Sequence, residues 1–440
     1  MNYVIGLDIG TSSVKGVLTT EDGTVVRTAK GSFSYIQTND GIVELLPKSY
    51  LQVCYQTIRQ LACCVGDGVI QGVCASSASG NLLLLDANCV PMCNIIGWQD
   101  VRVTCESTEI LGSLNSEEFY CQVGWPFGGR KFPLAQLCYI KKHTPDSLKN
   151  CSMVCMSTEY LYYTLTGKWG ISTSAGTPSF LLNQVTGEYI PSVLRSLDLT
   201  TEKLPPIMPC GAIVGYVKPD AALLCGLPQN TPIILGSFDH PSAARGVGVT
   251  KEGQMLLSCG TSWVAFFPIR DRKKAVAAKM LIDPFLSPNG CWGAMTSISS
   301  LSERLKLYVH RYLDHSEQAF QIMSKLAQQS VSGANGLKIN LLNTPDDDAI
   351  EGFSKQDIAR AIMESAVGLL KERLDSLAPM GISATEAVMV GGPSEDPYWV
   401  TLIQQICNIK VETKHQSFAG AVGAARIAQK TIGGNKDAEI

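Results

Sequence analysis

The feature that most constrains this chain is a unit that occurs twice: a hydrophobic strand, a Gly-Thr-Ser turn and a second hydrophobic strand. In Tyr3-Val4-Ile5-Gly6-Leu7-Asp8-Ile9, residues Ile5, Leu7 and Ile9 share one face, and Gly6 and Asp8 the other. Gly10-Thr11-Ser12-Ser13 turns the chain, and Val14-Lys15-Gly16-Val17-Leu18 runs back. A third strand follows the Glu21-Asp22-Gly23 turn. In the second half, Gly253-Gln254-Met255-Leu256-Leu257-Ser258-Cys259 leads into Gly260-Thr261-Ser262, and Trp263-Val264-Ala265-Phe266-Phe267 returns. Two such units, each near the start of a half, predict a duplicated α/β architecture with a boundary near 245–248.

The rest of the chain fits that division. Helices are predicted at 48–64, 134–142, 159–165, 300–315 and 354–377, the last with Ser354 as N-cap and Asp357 three residues on. Ala387-Val388-Met389-Val390 is a predicted strand, Gly391-Gly392-Pro393-Ser394 a tight turn into a helix, and 419–429 a helix of small residues. Residues 435–440 read as a frayed tail. Asp346-Asp347-Asp348 reads as a solvated loop and Arg270-Asp271-Arg272-Lys273-Lys274 as an exposed hairpin end.

Composition narrows the function classes. The 440 residues exceed one ordinary core, and 45% apolar with 17% charged residues excludes a disordered chain. With 36 basic against 39 acidic residues, the chain lacks the basic excess of a nucleic-acid binder. The uncharged stretch 68–85 carries Gln71, three serines and Asn81, so no membrane span is expected there. No basic, apolar and cleavable leader is read at the start, and cytoplasmic residence is expected. The 16 cysteines are scattered, without a CxxC pair, and read as reduced, buried thiols rather than a zinc site.

The Walker A, dinucleotide, HExxH and GxSxG motifs are absent. The positive signal is the pair of glycine/hydroxyl turns. Small side chains let a phosphate approach the backbone N–H groups of Gly10, Thr11, Ser12 and Ser13, and of Gly260, Thr261 and Ser262. Lys15 adds a cation for a phosphate, and Asp8 a carboxylate that could hold Mg²⁺ through water. Gly391, Gly392 and Ser394 stand where a ring or sugar can approach a helix start. Asp239 follows the apolar strand Ile233-Ile234-Leu235 and suits a general base, or else a helix cap. Trp98, Asp100 and Arg102 offer an aromatic face, a carboxylate and a guanidinium in one loop, suited to a polyhydroxylated ligand or to a purely structural role.

Taken in order, these segments resemble the FGGY carbohydrate kinases, including their xylulokinase and gluconokinase members, within the actin/Hsp70-type ATPase superfamily. The resemblance rests on Gly6–Lys15, on Trp98-x-Asp100-x-Arg102, and on Glu159-Tyr160-Leu161 with Leu165-Thr166-Gly167. It continues through Gly236-Ser237-Phe238-Asp239 with Gly246 and Gly248, Gly260-Thr261-Ser262, the 360–364 helix, and Gly391-Gly392 with Gly423-Ala424-Ala425. It implies two RNase H-like (actin-like ATPase) domains with a central cleft: residues 1–245 with the sugar site and first phosphate loop, and 246–440 with the nucleotide site. It implies ATP and Mg²⁺, a small sugar as partner, no nucleic acid and no membrane; the oligomeric state stays open, a homodimer included. Asp239 would be the base, and Gly80, Asn81, Trp98, Asp100 and Arg102 would meet the sugar. Where xylulokinases carry Gln-Met-His-Gly, this chain has Ala75-Ser76-Ser77-Ala78-Ser79-Gly80-Asn81, with Asn81 in place of the histidine. The substrate therefore stays open among a ketopentose, gluconate, a polyol and another sugar. A non-catalytic ATP-binding switch or regulator is the reading from another class; the Asp239 and Trp98–Arg102 segments have no task in it.

Overall fold

A computed structural model of the chain describes residues 1–103, 117–126 and 132–433. It divides into two compact units. The strands of the two large sheets are numbered here in chain order. In the first unit they are β1 (Asn2–Ile9), β2 (Ser13–Thr20), β3 (Val25–Ser32), β4 (Val69–Ser77), β5 (Ile213–Tyr216) and β6 (Pro232–Phe238). Their sheet order is β5-β6-β4-β1-β2-β3. β1, β2 and β3 form an antiparallel meander, while β1, β4 and β6 run parallel.

The second unit contributes β7 (Gly253–Cys259), β8 (Trp263–Ile269), β9 (Trp292–Ile298), β10 (Ala384–Gly391) and β11 (Lys410–Thr413). Their order is β9-β8-β7-β10-β11, with β7/β8 antiparallel and β7/β10/β11 parallel. β1 and β7 have the same neighbours, an antiparallel strand on one side and two successive parallel strands on the other. Each Gly-Thr-Ser turn joins the first two strands of its sheet. The duplication predicted from two tripeptides is thus present at the level of sheet topology.

Both faces of the first sheet are covered. Helix α1 (Pro47–Ala62) begins with a proline at its first position and buries Tyr50, Cys54, Ile58 and Leu61 against Ile5, Leu7, Val14 and Leu18. The opposite face carries Val4, Val17, Cys74 and Ile234, packed on Ala421, Val422, Ala424, Ala425 and Ile427 of the C-terminal helix. The other helices used below are α2 (Ser157–Thr166), α3 (Asp239–Val247), α4 (Leu301–Tyr312), α5 (Ala319–Ala327), α6 (Lys355–Leu377), α7 (Pro397–Cys407) and α8 (Ala419–Ile432).

Helix α8 lies so close to the sheet and to α3 that side chains are excluded. A Cβ on Gly6 would strike the Ala421 carbonyl, and one on Gly423 the Ser242 carbonyl. The segment Gly423-Ala424-Ala425, one of those that carry the family resemblance, is packed as a seam of the first unit. The chain also divides otherwise than by one cut near residue 245. Lys279–Trp292 and the chain from Phe418 onward belong to the first unit, because the second face of the first sheet needs α8 to leave water.

Helix α6 is capped as predicted: Ser354 Oγ accepts from Asp357 N at 3.1 Å and Asp357 Oδ2 from Ser354 N at 3.4 Å. The basic run behaves differently. Asp271 caps a short helix, Arg272–Ala277, by accepting from Lys273 N at 3.0 Å, so the segment is a helix start rather than a hairpin end. In the acidic run, Asp347 is exposed and paired with Arg311. The 435–440 tail lies outside the described residues. Among them, no helix is long and apolar enough to cross a membrane.

The close seating of α8 yields a paired prediction. Gly423→Ala forces a methyl into a carbonyl oxygen and should cost about 1–3 kcal/mol. Gly368→Ala, in α6 with open space around the added carbon, should instead stabilise by about 0.5–1 kcal/mol. Urea unfolding of both variants checks the opposite signs.

Candidate active site

The candidate catalytic groups collect where the parallel strands of the first sheet end. Asp8 is near the end of β1, Ser77 ends β4, and Asp239 follows β6 as the first residue of α3. Asp8 alternates with Val4 and Gly6, so its side chain faces α8. There a Cβ on Gly420 would stand 2.6 Å from Asp8 Oδ2. Asp8 pairs across the ladder with Lys15. Its Oδ1 is buried without a hydrogen-bond partner. Burial, joined by the negative charge of Asp239, pushes the Asp8 carboxyl up to about 7 against the opposing pull of Lys15.

Asp239 is half-buried, and its Oδ1 accepts from His240 N at 2.7 Å. It stands inside the helix rather than at the N-cap, which is Phe238. Its carboxylate is thus not consumed in capping, and it sits beside a second carboxylate, Asp8.

The first turn closes on itself: Gly10 N donates to Ser13 O at 2.9 Å, and Phe33 N to Ser12 O at 2.9 Å. Ser13 is buried, Ser12 is exposed, and Thr11 Oγ1 accepts from Trp98 Nε1 at 2.9 Å. Trp98 also stacks on Phe132, with ring centroids 6.4 Å apart. The predicted aromatic loop therefore lies against the predicted phosphate turn.

Asp100 is a correction to the expectation that it meets the sugar. It is fully buried. Oδ2 accepts from Val43 N at 2.9 Å and Arg102 Nη2 at 2.7 Å; Oδ1 accepts from Arg102 N and Nε, both at 3.0 Å. Arg102 also binds Glu44 at 2.6 Å, a partner that sequence reading missed. The two carboxylates hold Arg102 firmly in its charged form and spend its charge inside the protein. Asp100 thus braces the loop, because every geometry that satisfies a buried carboxylate here uses Arg102.

Asn81 and Gly80 are similarly tied. Asn81 Oδ1 accepts from Ser157 N at 2.7 Å and its Nδ2 donates to Ser157 Oγ at 2.9 Å, anchoring it to the start of α2. Gly80 has φ +112°, and its carbonyl accepts from Gln136 Nε2 at 3.2 Å. Asn81, Ser157, Thr11 and Trp98 line a notch of about 10 Å³, enough for one water or one hydroxyl group.

In the second unit, Gly260 N donates to Ser262 O at 3.2 Å. Ser262 Oγ accepts from Ser300 N at 3.1 Å, and Gly260 O from Ser302 Oγ at 2.6 Å, stitching the turn to the start of α4. Gly260 and Thr261 open onto a cavity of about 860 Å³, within the size range of cofactor sites. Its walls include Ser302 and Lys306 of α4, Phe320, Gln321 and Lys325 of α5, Gly392, Pro393, Asp396 and Trp399. Gly392 has open space around it, as expected of a ligand contact. Gly391 and Ser394 do not line the cavity. A Cβ on Gly391 would strike the Cys259 carbonyl, and Ser394 Oγ donates to Gly391 O at 2.6 Å. Both shape the turn. Arg360 in α6 is likewise occupied, bound to Glu364 and to Tyr398 Oη. Lys306, Lys325 and Phe320 were missed because they sit on amphipathic helices with no local motif. The exposed Phe320 was their one signal.

Two lobes with one duplicated topology, each with a glycine/hydroxyl turn, define a phosphotransferase of the actin-like ATPase fold. Residues 3–246 match the N-terminal domain of the FGGY family of carbohydrate kinases, and residues 342–431 its C-terminal domain. The chain belongs to this family and is a sugar kinase that uses ATP. It is 25% identical to a xylulose kinase of Bacillus subtilis over 97% of this chain and 88% of the relative. It is 24% identical to an autoinducer-2 kinase of Salmonella typhimurium over 98% and 86%. Its fold is similar to that of a gluconate kinase from Lactobacillus acidophilus, with a TM-score of 0.88 and 21% identity over 99% of this chain and 90% of that one.

The Asp8 environment makes a pH prediction. Its folded pKa of about 7 exceeds the ordinary 3.8, so the folded state binds the proton more tightly. The resulting destabilisation is absent below about pH 4, grows as pH rises through that window, and is complete above 7, at about 1.4 kcal/mol per pKa unit. Asp8→Asn should therefore melt at a higher temperature than the natural protein at pH 8 with chelator present. The two curves should converge near pH 4, while the variant loses kinase activity. Calorimetry across this range checks the sign.

Proposed function

We propose that this kinase phosphorylates a neutral small sugar, a ketopentose, with Asp239 taking the proton from the attacking hydroxyl. The single observation that carries the mechanism is the pairing of a half-buried Asp239 with the buried, unpartnered carboxylate of Asp8 beside the first phosphate turn. Phosphoryl transfer asks a protein chiefly for position and charge neutralisation, and these groups supply both. Asp8, with its bare oxygen next to a second carboxylate, fits the residue that would hold Mg²⁺; when bound, the ion neutralises phosphate charge. Lys15 stands opposite Asp8 on the neighbouring strand and adds positive charge there. Thr11 and Ser12 offer donors to a phosphate, and the second unit's cavity suits the nucleotide through Gly260, Thr261, Lys306 and Gly392.

Charge favours a neutral acceptor over gluconate. A sugar acid needs a free cation, and among the described residues none lines the Asn81–Trp98 notch. Arg102, the nearest candidate by sequence, is already paired with Asp100 and Glu44. A hydroxyl seated in the notch would meet Asn81, Ser157 and Thr11. The name of the Bacillus relative agrees with a ketopentose, and the free thiols agree with a reducing cytoplasm.

Two measurements test this reading. Asp239→Asn should lower kcat by about two to four orders of magnitude while leaving the Kd for ATP nearly unchanged; near-natural turnover would remove Asp239 from the base role. An ADP-release panel of ketopentoses, ketohexoses, polyols and gluconate should rank a neutral ketopentose first. A higher kcat/KM for gluconate would refute the charge argument.

A further inference from the structure

Strand β6 loses its regular ladder just before the proposed base. Its pairing with β4 is continuous from Ile233 to Leu235 and then shifts register before Phe238. The backbone groups between are satisfied by side-chain hydroxyls. Tyr162 Oη accepts from Gly236 N at 3.4 Å, and Ser172 Oγ donates to Gly236 O at 2.6 Å. Ser76 Oγ accepts from Ser237 N at 3.2 Å, and Ser174 Oγ from Phe238 N at 3.0 Å. Ladder bonds have thus been exchanged for hydroxyl bonds over the three residues that lead to Asp239. The exchange frees the strand end to bend toward the site, and its position then depends on those hydroxyls.

Ser174 holds Phe238, the residue just before the base, and its orientation is imposed from behind. Its Oγ donates to Asp283 Oδ2 at 2.7 Å. With the serine hydrogen given to the buried Asp283, the serine lone pairs are left for Phe238 N–H. The other oxygen, Oδ1, accepts from Phe285 N at 2.7 Å, and the Phe285 carbonyl accepts from the buried Arg245. Arg245 reaches back to Ser237 Oγ at 3.2 Å and lies over the Phe285 ring at 4.6 Å. The loop closes on the segment it supports: Asp283 to Ser174 to Phe238, and Phe285 to Arg245 to Ser237. All of these residues belong to the first unit.

We propose that Ser174 and Asp283 are positioning residues for Asp239, fixing the backbone that carries the base through the Phe238 N–H. The proposal rests on the reading of Asp239 as the base. It predicts that Ser174→Ala lowers kcat by about 10²-fold, the scale of a displacement near 1 Å, with the KM for ATP and for sugar changed less than about threefold. Asp283→Ala should behave alike. Asp283→Asn, whose Oδ1 can still accept the Ser174 hydroxyl hydrogen, should recover at least a tenth of the natural kcat. The panel includes Asp239→Asn, and Leu194→Ala as a core control matched by melting temperature.

If Ser174→Ala and Asp283→Ala lose no more turnover than the Leu194→Ala control, or if both KM values rise with the fall in kcat, the positioning role is overturned. The same holds if Asp283→Asn is as poor as Asp283→Ala. If Asp239→Asn itself retains turnover, the base reading fails, and a loss in Ser174→Ala is then structural. Should the alanine variants fail to fold, Ser174→Cys decides: it keeps the volume but is a weak acceptor for Phe238 N–H, so a fall in kcat at unchanged KM supports the role and natural kcat overturns it.

Discussion

The carboxylate of Asp8 is the constraint around which the first unit is arranged. A buried acid with one bare oxygen is costly, and it is retained where β1 must end beside a phosphate turn. Helix α8 comes to it without a side chain at Gly420. The same closeness runs along the seam through Gly6 and Gly423, so the packing that seats the helix also delivers its first turn to the acid. The C-terminal helix thus both covers the second face of the sheet and walls the Asp8 end of β1. That double duty explains why it returns to the first unit after the whole second sheet has been built.

The polar residues of the site fall into two physical kinds. Asp100, Arg102, Glu44, Asn81 and Ser157 are paired with one another or with backbone. They spend their hydrogen-bonding capacity on holding loops, which gives the notch its shape and, among the described residues, leaves no free cation in it. Asp8, Asp239, Ser12, Thr261 and Gly392 keep unspent capacity or open space. Hydrogen bonds contribute little net stability each, but an orphaned buried group costs more than a made bond gains. Loops braced by saturated pairs are therefore rigid, and the residues left unsaturated are those with work for a ligand to complete. The hydroxyls that replace the β6 ladder belong to the first kind although they stand next to the second.

Much of this was legible in the amino-acid sequence. Period-two alternation in β1 and β7, the two Gly-Thr-Ser turns, the Ser354/Asp357 cap and the strand before Asp239 are local signals, set by backbone sterics and by which face of an element must leave water. They determined the duplicated α/β architecture, the two glycine/hydroxyl turns and the placement of Asp239 at a strand end. The tertiary structure decided what depends on residues far apart in the chain. Asp100 looks free in sequence, yet Val43 and Glu44 make its loop a closed ion-pair network. Gly423-Ala424-Ala425 looks like a ligand turn, yet Ser242 makes it a helix seam. Lys306 and Phe320 carry no motif, yet they share a cavity with Gly392. Asp283 reaches Ser174 only because a segment from the second half of the chain folds back onto the first unit. Local pattern reports the conformation of a segment and the face it buries; which partner satisfies each polar atom is settled only when distant segments meet, because satisfaction is a property of pairs.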